Sequence, residues 1–261
     1  MKEIYREALG LIDLTTLNAT DTVSKVEAMV QKVNDFHSVY PNYPLPASIC
    51  VYPNFAGVIK AVRKEPEVHI TVVGGCFPAS QSPLEVKTLE CVRAVEEGAD
   101  EVDIVLALNA FLDGKYDEAQ HEIAEIGKAI RAVNPEVHLK VILETGALKE
   151  PALIEDASYL SMEAGADFIK TSTGKLQPAA TPEAARIMCT CIKEYHRKGG
   201  RMVGFKPAGG IATAEDAVLY YNIVEEILGK AWLNKRYFRF GASRMANNLL
   251  TALEGKEVKY Y

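Results

Sequence analysis

Residues 84–106 read LEVKTLECVRAVEEGADEVDIVL. Over the first half, Val86, Leu89, Cys91, Val92 and Val95 recur at steps near three and four, the period of a helix with one buried face. Gly98 stops that pattern, because glycine accepts the left-handed backbone that closes a helix. An apolar, β-rich run, 100–106, begins at once behind it. The same punctuation, a glycine followed by Ala-Asp and then a strand, returns at Ala164-Gly165-Ala-Asp167.

Working outward, strands are predicted at 10–14, 47–52, 68–73, 100–106, 137–143, 167–171, 201–206 and 237–241, each followed by a helical pattern. Helix starts are legible at Ser82-Pro83, Thr181-Pro182, and Thr213 with Asp216, which offer cap oxygens or a proline at the first helical position. Strands alternating with helices give a parallel α/β sheet, and eight such units in about 250 residues give a closed (β/α)8 TIM barrel. We therefore expect one domain spanning 1–261, with a short N-terminal helix ahead of the first strand. Its interior is expected to be a packed core of branched side chains, with reactive groups at the C-terminal strand ends.

The totals exclude several classes. At 48% hydrophobic and 25% charged residues the chain resembles ordinary globular proteins, so disorder is not expected. A net charge of −6 repels phosphate backbones and anionic lipid, so nucleic acid and membrane surfaces are poor partners. Five cysteines, none in a CxxC pair, read as reduced thiols in a cytoplasmic compartment. The histidines are scattered singly, so no metal site is expected. No stretch is apolar for long enough to span a bilayer, and acidic residues interrupt the N-terminal MKEIYREALGLIDL.

Three strand ends break the apolar rule: Asp103, Lys170 and Lys206. Strands six and seven are neighbours in a barrel, so both lysines should project into one mouth, with Asp103 across from them. Two ammonium groups sharing a poorly hydrated site disfavour each other's charge, which lowers at least one pKa towards the neutral amine that a nucleophile requires. A carboxylate between them can hold the other protonated. Lys140 lies on the fifth strand, and strand alternation puts Glu144 on its face. Those two either neutralise each other or take part directly.

Thr171, Gly174 and Lys175 after strand six, Gly209 and Gly210 after strand seven, and Gly241, Ser243 and Arg244 at the last helix suit an anion, because glycines let backbone N–H groups approach and a helix N-terminus adds positive potential. The loops after strands seven and eight are a recurrent phosphate site in this fold. Taken alone, Gly209-Gly210 would be a tight turn into the next helix. Cys189 and Cys191 read as helix packing.

At these residues the sequence resembles the deoxyribose-phosphate aldolases, class I enzymes that cleave 2-deoxyribose 5-phosphate without a cofactor. The resemblance runs through LIDLTTL (11–17), EVDIV (101–105), KVILETG (140–146), AGADFIKTSTGK (164–175), VGFKPAGG (203–210) and FGAS (240–243). It implies that Lys170 forms the Schiff base and that Asp103 and Lys206 transfer protons. It also implies support from Asp13, Thr15, Cys50 and Lys140, small phosphorylated sugars and aldehydes as partners, and a homodimer. A C-terminal tyrosine serves as a proton shuttle in some members; here the chain ends on Tyr261, and such a tail is expected to be mobile. Two positions depart from the family pattern. Ala212 stands where many members have a basic residue, and Arg244 where many have a second serine. Arg244 either supplies the missing cation or points into solvent.

Rival expectations are a transaldolase-like or sugar-bisphosphate aldolase, and a noncatalytic phosphosugar-binding barrel. The latter would leave Asp103 and Lys206 without a reason.

Overall fold

The computed structural model describes residues 1–261. A helix, Lys2–Leu9, precedes eight strands: β1 (Ile12–Thr15), β2 (Ser48–Val51), β3 (His69–Gly74), β4 (Glu101–Val105), β5 (His138–Ile142), β6 (Phe168–Lys170), β7 (Gly204–Lys206) and β8 (Phe240–Ala242). Each strand pairs in parallel with its neighbours in the order β7-β6-β5-β4-β3-β2-β1-β8. Two bridges, Phe205 with Phe238 and Ala208 with Gly241, close β7 onto the β8 side. The eight-stranded (β/α)8 barrel is the expected one.

The glycine–acid junctions show how the sequence builds it. Gly98 and Gly165 have φ of +109° and +100°, so each helix ends in a conformation that a side chain would strain. The acid two residues later then ties the base of the preceding strand. Asp100 accepts from the backbone N–H of Ile70 at 2.8 Å and from Arg63 at 3.1 Å. Asp167 accepts from the N–H of Leu139 at 2.9 Å and from Arg131 at 2.7 Å. Two segments of unlike sequence thus use one device.

The caps are mostly as expected. Thr181 accepts from the N–H of Ala184 with Pro182 in the first turn, and Thr213 and Asp216 form a reciprocal capping box. Pro83 instead occupies the capping position ahead of the helix Leu84–Glu96, with no side-chain cap.

The main apolar core lies between the strands and the helices, where one cluster joins 68 buried residues. Inside the barrel the expectation of branched residues fails. Asp13, Thr71, Glu101, Asp103, Lys140, Lys170, Lys206 and Arg239 are buried there and bonded to one another. Burial of so many charges is tolerable only because each faces an opposite charge. No helix is long and apolar enough to cross a membrane.

The C-terminal segment is docked rather than loose. Asn247 accepts from the backbone N–H groups of Tyr260 and Tyr261, both at 2.9 Å, and donates to the Tyr261 carbonyl at 2.8 Å. The Tyr261 ring stacks on Phe36, with centroids 5.7 Å apart.

Candidate active site

Lys170 and Lys206 are directly opposed in the β6–β7 ladder, and Asp103 is opposed to Lys140 in the β4–β5 ladder. The β5–β6 ladder sets Ile142 opposite Lys170, so the Lys170–Lys206 pair lies two residues closer to the C-terminal strand ends than the Asp103–Lys140 pair. Asp103 accepts on one oxygen from Lys170 at 2.8 Å and from Lys206 at 2.7 Å, and on the other from Lys140 at 3.0 Å. Asp13 lies between Lys206 and Arg239, which it meets at 2.6 Å. Glu101 completes the cluster from below, bonded to Lys140 at 2.5 Å, Arg239 at 2.7 Å and Thr71 at 2.7 Å.

These contacts set the charge states. Burial pushes the Asp103 carboxyl upward, but Lys140, Lys170 and Lys206 together hold it far below the carboxylate range. Asp13 and Glu101 are held down in the same way by their cations. For Lys140 and Lys206, burial opposes the charge and the facing carboxylates outweigh it, so both ammonium groups are reinforced. Lys170 differs. Burial depresses its amine, Lys206 adds to the depression, and its share of Asp103 does not restore it.

A cavity of about 360 Å³ opens over this cluster at the C-terminal ends of the strands, a size suited to a small ligand. Lys170 reaches it, whereas Asp103 and Lys206 lie beneath, fully buried. Gly241 keeps room there for Lys206: a β-carbon would stand 3.2 Å from the lysine Cε and 2.6 Å from the Ala208 Cβ. Thr15 lines the wall beside it.

Gly174, Lys175, Gly209, Gly210, Ser243 and Arg244 line the other end of the same cavity. The three glycines all have positive φ. At Gly209 a β-carbon would come within 3.0 Å of the Gly174 backbone and 2.8 Å of the Ala179 Cβ, so the loop after β7 reaches the loop after β6 only because residue 209 is glycine. Lys175 donates to the Leu17 carbonyl at 2.6 Å, and Lys25, also in the lining, pairs with Asp21 at 2.6 Å. Arg244 stands exposed at the rim.

Other expected residues fall elsewhere. Thr171 is buried and exchanges hydrogen bonds with the Ala208 backbone at 3.1 and 3.0 Å, tying β6 to β7 outside the cavity lining. Cys50 packs with Leu17 and Val73, and burial raises its thiol. Tyr261 lies in the outer layer against Phe36, away from the lining. Lys140 and Glu144 do not pair. Glu144 takes φ of +54°, which ends strand alternation, and its carboxylate turns to the Thr173 hydroxyl at 2.5 Å. Glu101 and Arg239 escaped the sequence reading. Glu101 sits two residues before Asp103 and Arg239 two before Gly241, so strand alternation was the available signal.

Lysine amines buried under the mouth of such a barrel suit the carbonyl chemistry of barrel aldolases. Its family is given by the sequence: residues 8–224 match the model described as DeoC/LacD family aldolase, and the chain belongs to that family. It is thus a carbon–carbon lyase. A Caenorhabditis elegans protein provisionally named deoxyribose-phosphate aldolase is 41% identical over 254 residues, 97% of this chain and 82% of that protein. Among solved structures, an aldolase designated QR15 is 29% identical with a TM-score of 0.76, covering 95% of this chain and 96% of its own. A deoxyribose phosphate aldolase from Aeropyrum pernix, described as tetrameric, is 25% identical with a TM-score of 0.73, covering 95% and 92%.

Proposed function

We propose that this aldolase reversibly cleaves 2-deoxy-D-ribose 5-phosphate to D-glyceraldehyde 3-phosphate and acetaldehyde through a Schiff base on Lys170. One observation carries the reading: of the lysines around Asp103, Lys170 alone both reaches the cavity and has its amine depressed. A neutral amine is the form that attacks a carbonyl.

The Lys170 Nζ adds to the C1 aldehyde of the open-chain sugar, and loss of water leaves an iminium. A base removes the C3 hydroxyl proton, the C2–C3 bond breaks, and its electron pair forms the enamine as D-glyceraldehyde 3-phosphate departs. Protonation at C2 and hydrolysis release acetaldehyde and restore the amine. Asp103 and Lys206 serve as the proton-transfer pair, directly or through one water, because Asp103 accepts from both Lys206 and Lys170 on the same oxygen. Asp13 and Lys140 fix the charges of that pair. The glycine loops and the start of the helix Arg244–Glu254 receive the phosphate. By resemblance, the working form is a one-domain chain in a cytoplasmic homodimer.

Borohydride trapping with acetaldehyde or deoxyribose 5-phosphate, followed by mass mapping, should give one adduct on Lys170. An adduct elsewhere defeats the assignment, and trapping without turnover of deoxyribose 5-phosphate defeats the substrate. For the phosphate end we expect Arg244→Ala to raise KM for the phosphorylated sugar about tenfold, the scale of one lost charge-assisted contact, and to leave unphosphorylated deoxyribose little affected. Equal change on both would place Arg244 in solvent.

A further inference from the structure

The barrel interior holds three carboxylates, Asp13, Glu101 and Asp103, and four basic side chains, Lys140, Lys170, Lys206 and Arg239, none more than 3% exposed. If Lys140, Lys206 and Arg239 are charged, the carboxylates are matched and the cluster is neutral with Lys170 as the free amine. A net charge in such a poorly hydrated interior is costly, so the cluster as a whole favours that state. Arg239 lies on the side of the cluster away from the mouth. It precedes β8, lies outside the lining of the cavity over Lys170, and borders a separate polar cavity of about 400 Å³ with His69, His138, Asp100 and Glu136. His69 and His138 begin β3 and β5, so this second cavity opens at the N-terminal face of the barrel.

We propose that Arg239 is a positioning residue which, from the base of the barrel, keeps Lys170 a free amine by supplying the third cation to the three interior carboxylates. The inference rests on the assignment of Lys170 as the Schiff-base lysine. Arg239 acts through two bonded paths. One runs from Arg239 to Asp13 at 2.6 Å and on through Lys206 to Asp103. The other runs from Arg239 to Glu101 at 2.7 Å, then Lys140 at 2.5 Å, then Asp103 at 3.0 Å. Both end at the carboxylate that touches Lys170.

The sign follows from the groups that face the cluster. Lys170 meets Asp103 from β4 and Lys206 from β7, with Cys50 from β2, Lys140 from β5 and Asp13 from β1 around them. His69 faces Glu101 at 2.7 Å, and His138 lies 3.8 Å away. Without Arg239, Glu101 still faces Lys140 and His69, and the three interior carboxylates are left with two paired cations, Lys140 and Lys206. Lys170 then takes up a proton to restore neutrality. Its amine becomes available only at higher pH.

The test is reductive trapping of acetaldehyde on Lys170 between about pH 5 and 10, the range in which a lysine with a lowered pKa titrates. In Arg239→Met the midpoint rises by about one unit or more, so the rate at neutral pH falls about tenfold or more and returns at high pH. Glu101→Gln moves the midpoint the other way. Arg239→Lys keeps the cation, and the double variant E101Q/R239M removes one charge of each sign; both keep the wild-type midpoint. A purely structural role lowers the rate of Arg239→Met equally at every pH, and that result overturns the inference. So does a midpoint displaced upward in Arg239→Lys or in the double variant, which decide the matter if Arg239→Met does not fold. Failure of the wild-type protein to form any adduct on Lys170 would sink the assignment of Lys170 instead.

Discussion

With Lys170 as the proposed Schiff-base lysine, Lys170→Met is expected to lower kcat for deoxyribose 5-phosphate by about 10⁴-fold or more, the scale on which an enzyme loses a covalent nucleophile. The same substitution leaves the unfolding midpoint in urea close to that of the wild type. Both results follow from one feature. Lys170 has a single ion-pair partner, Asp103, which keeps Lys140 at 3.0 Å and Lys206 at 2.7 Å when Lys170 is gone. Methionine fills much the same volume and leaves no charge unmatched. A steady-state assay and a urea titration on one preparation decide it; residual turnover within tenfold of wild type would remove Lys170 from the chemistry.

Asp103→Asn differs, with losses in both measurements. Asparagine can still accept from one amine, but the charge shared among three lysines is lost. Breaking a buried pair by removing one partner costs about 3–5 kcal/mol, because the remaining cations stay buried. The linear extrapolation of a urea titration should report a loss of that size. The proposed proton-transfer pair is broken too, so kcat is expected to fall by about 10²–10⁴. Wild-type stability in this variant would mean that the interior charges are not balanced through Asp103.

The contrast between these two substitutions marks how far the sequence could be read. All eight strands were legible because apolar runs alternate with helical periods, and Lys170, Asp103 and Lys206 stood out as charges inside those runs. Strand ends were blurred where backbone groups found other partners. Residues 201–203 look like the start of a strand, but the Val203 carbonyl accepts from the Trp232 indole at 2.9 Å, and β7 begins only at Gly204. Tyr237 and Phe238 likewise look extended, yet they meet Phe205 through an isolated bridge ahead of β8.

The site was half legible for a related reason. Alternation predicts which face a residue shares, so Asp103 and Glu101 should have been read together; what alternation cannot show is which opposite charge lies across a barrel. Arg239 meets Glu101 across 138 positions of sequence and Asp13 across 226. Glu144 failed in the other direction, because its left-handed backbone breaks the alternation on which pairing with Lys140 depended. The docking of Tyr261 is not legible in the sequence, because nothing local announces that Asn247 will hold it.

The glycine–acid junctions bear on how such a protein can change over generations. Asp100 with Arg63, and Asp167 with Arg131, fasten the strands at the end away from the mouth and between the barrel and its helices. Neither pair lines the cavity over Lys170. A lineage moving to a hotter habitat can therefore strengthen these fasteners away from the cavity over Lys170, and one adapting to a new substrate can alter the rim without loosening them. Durability and diet are inherited through different residues.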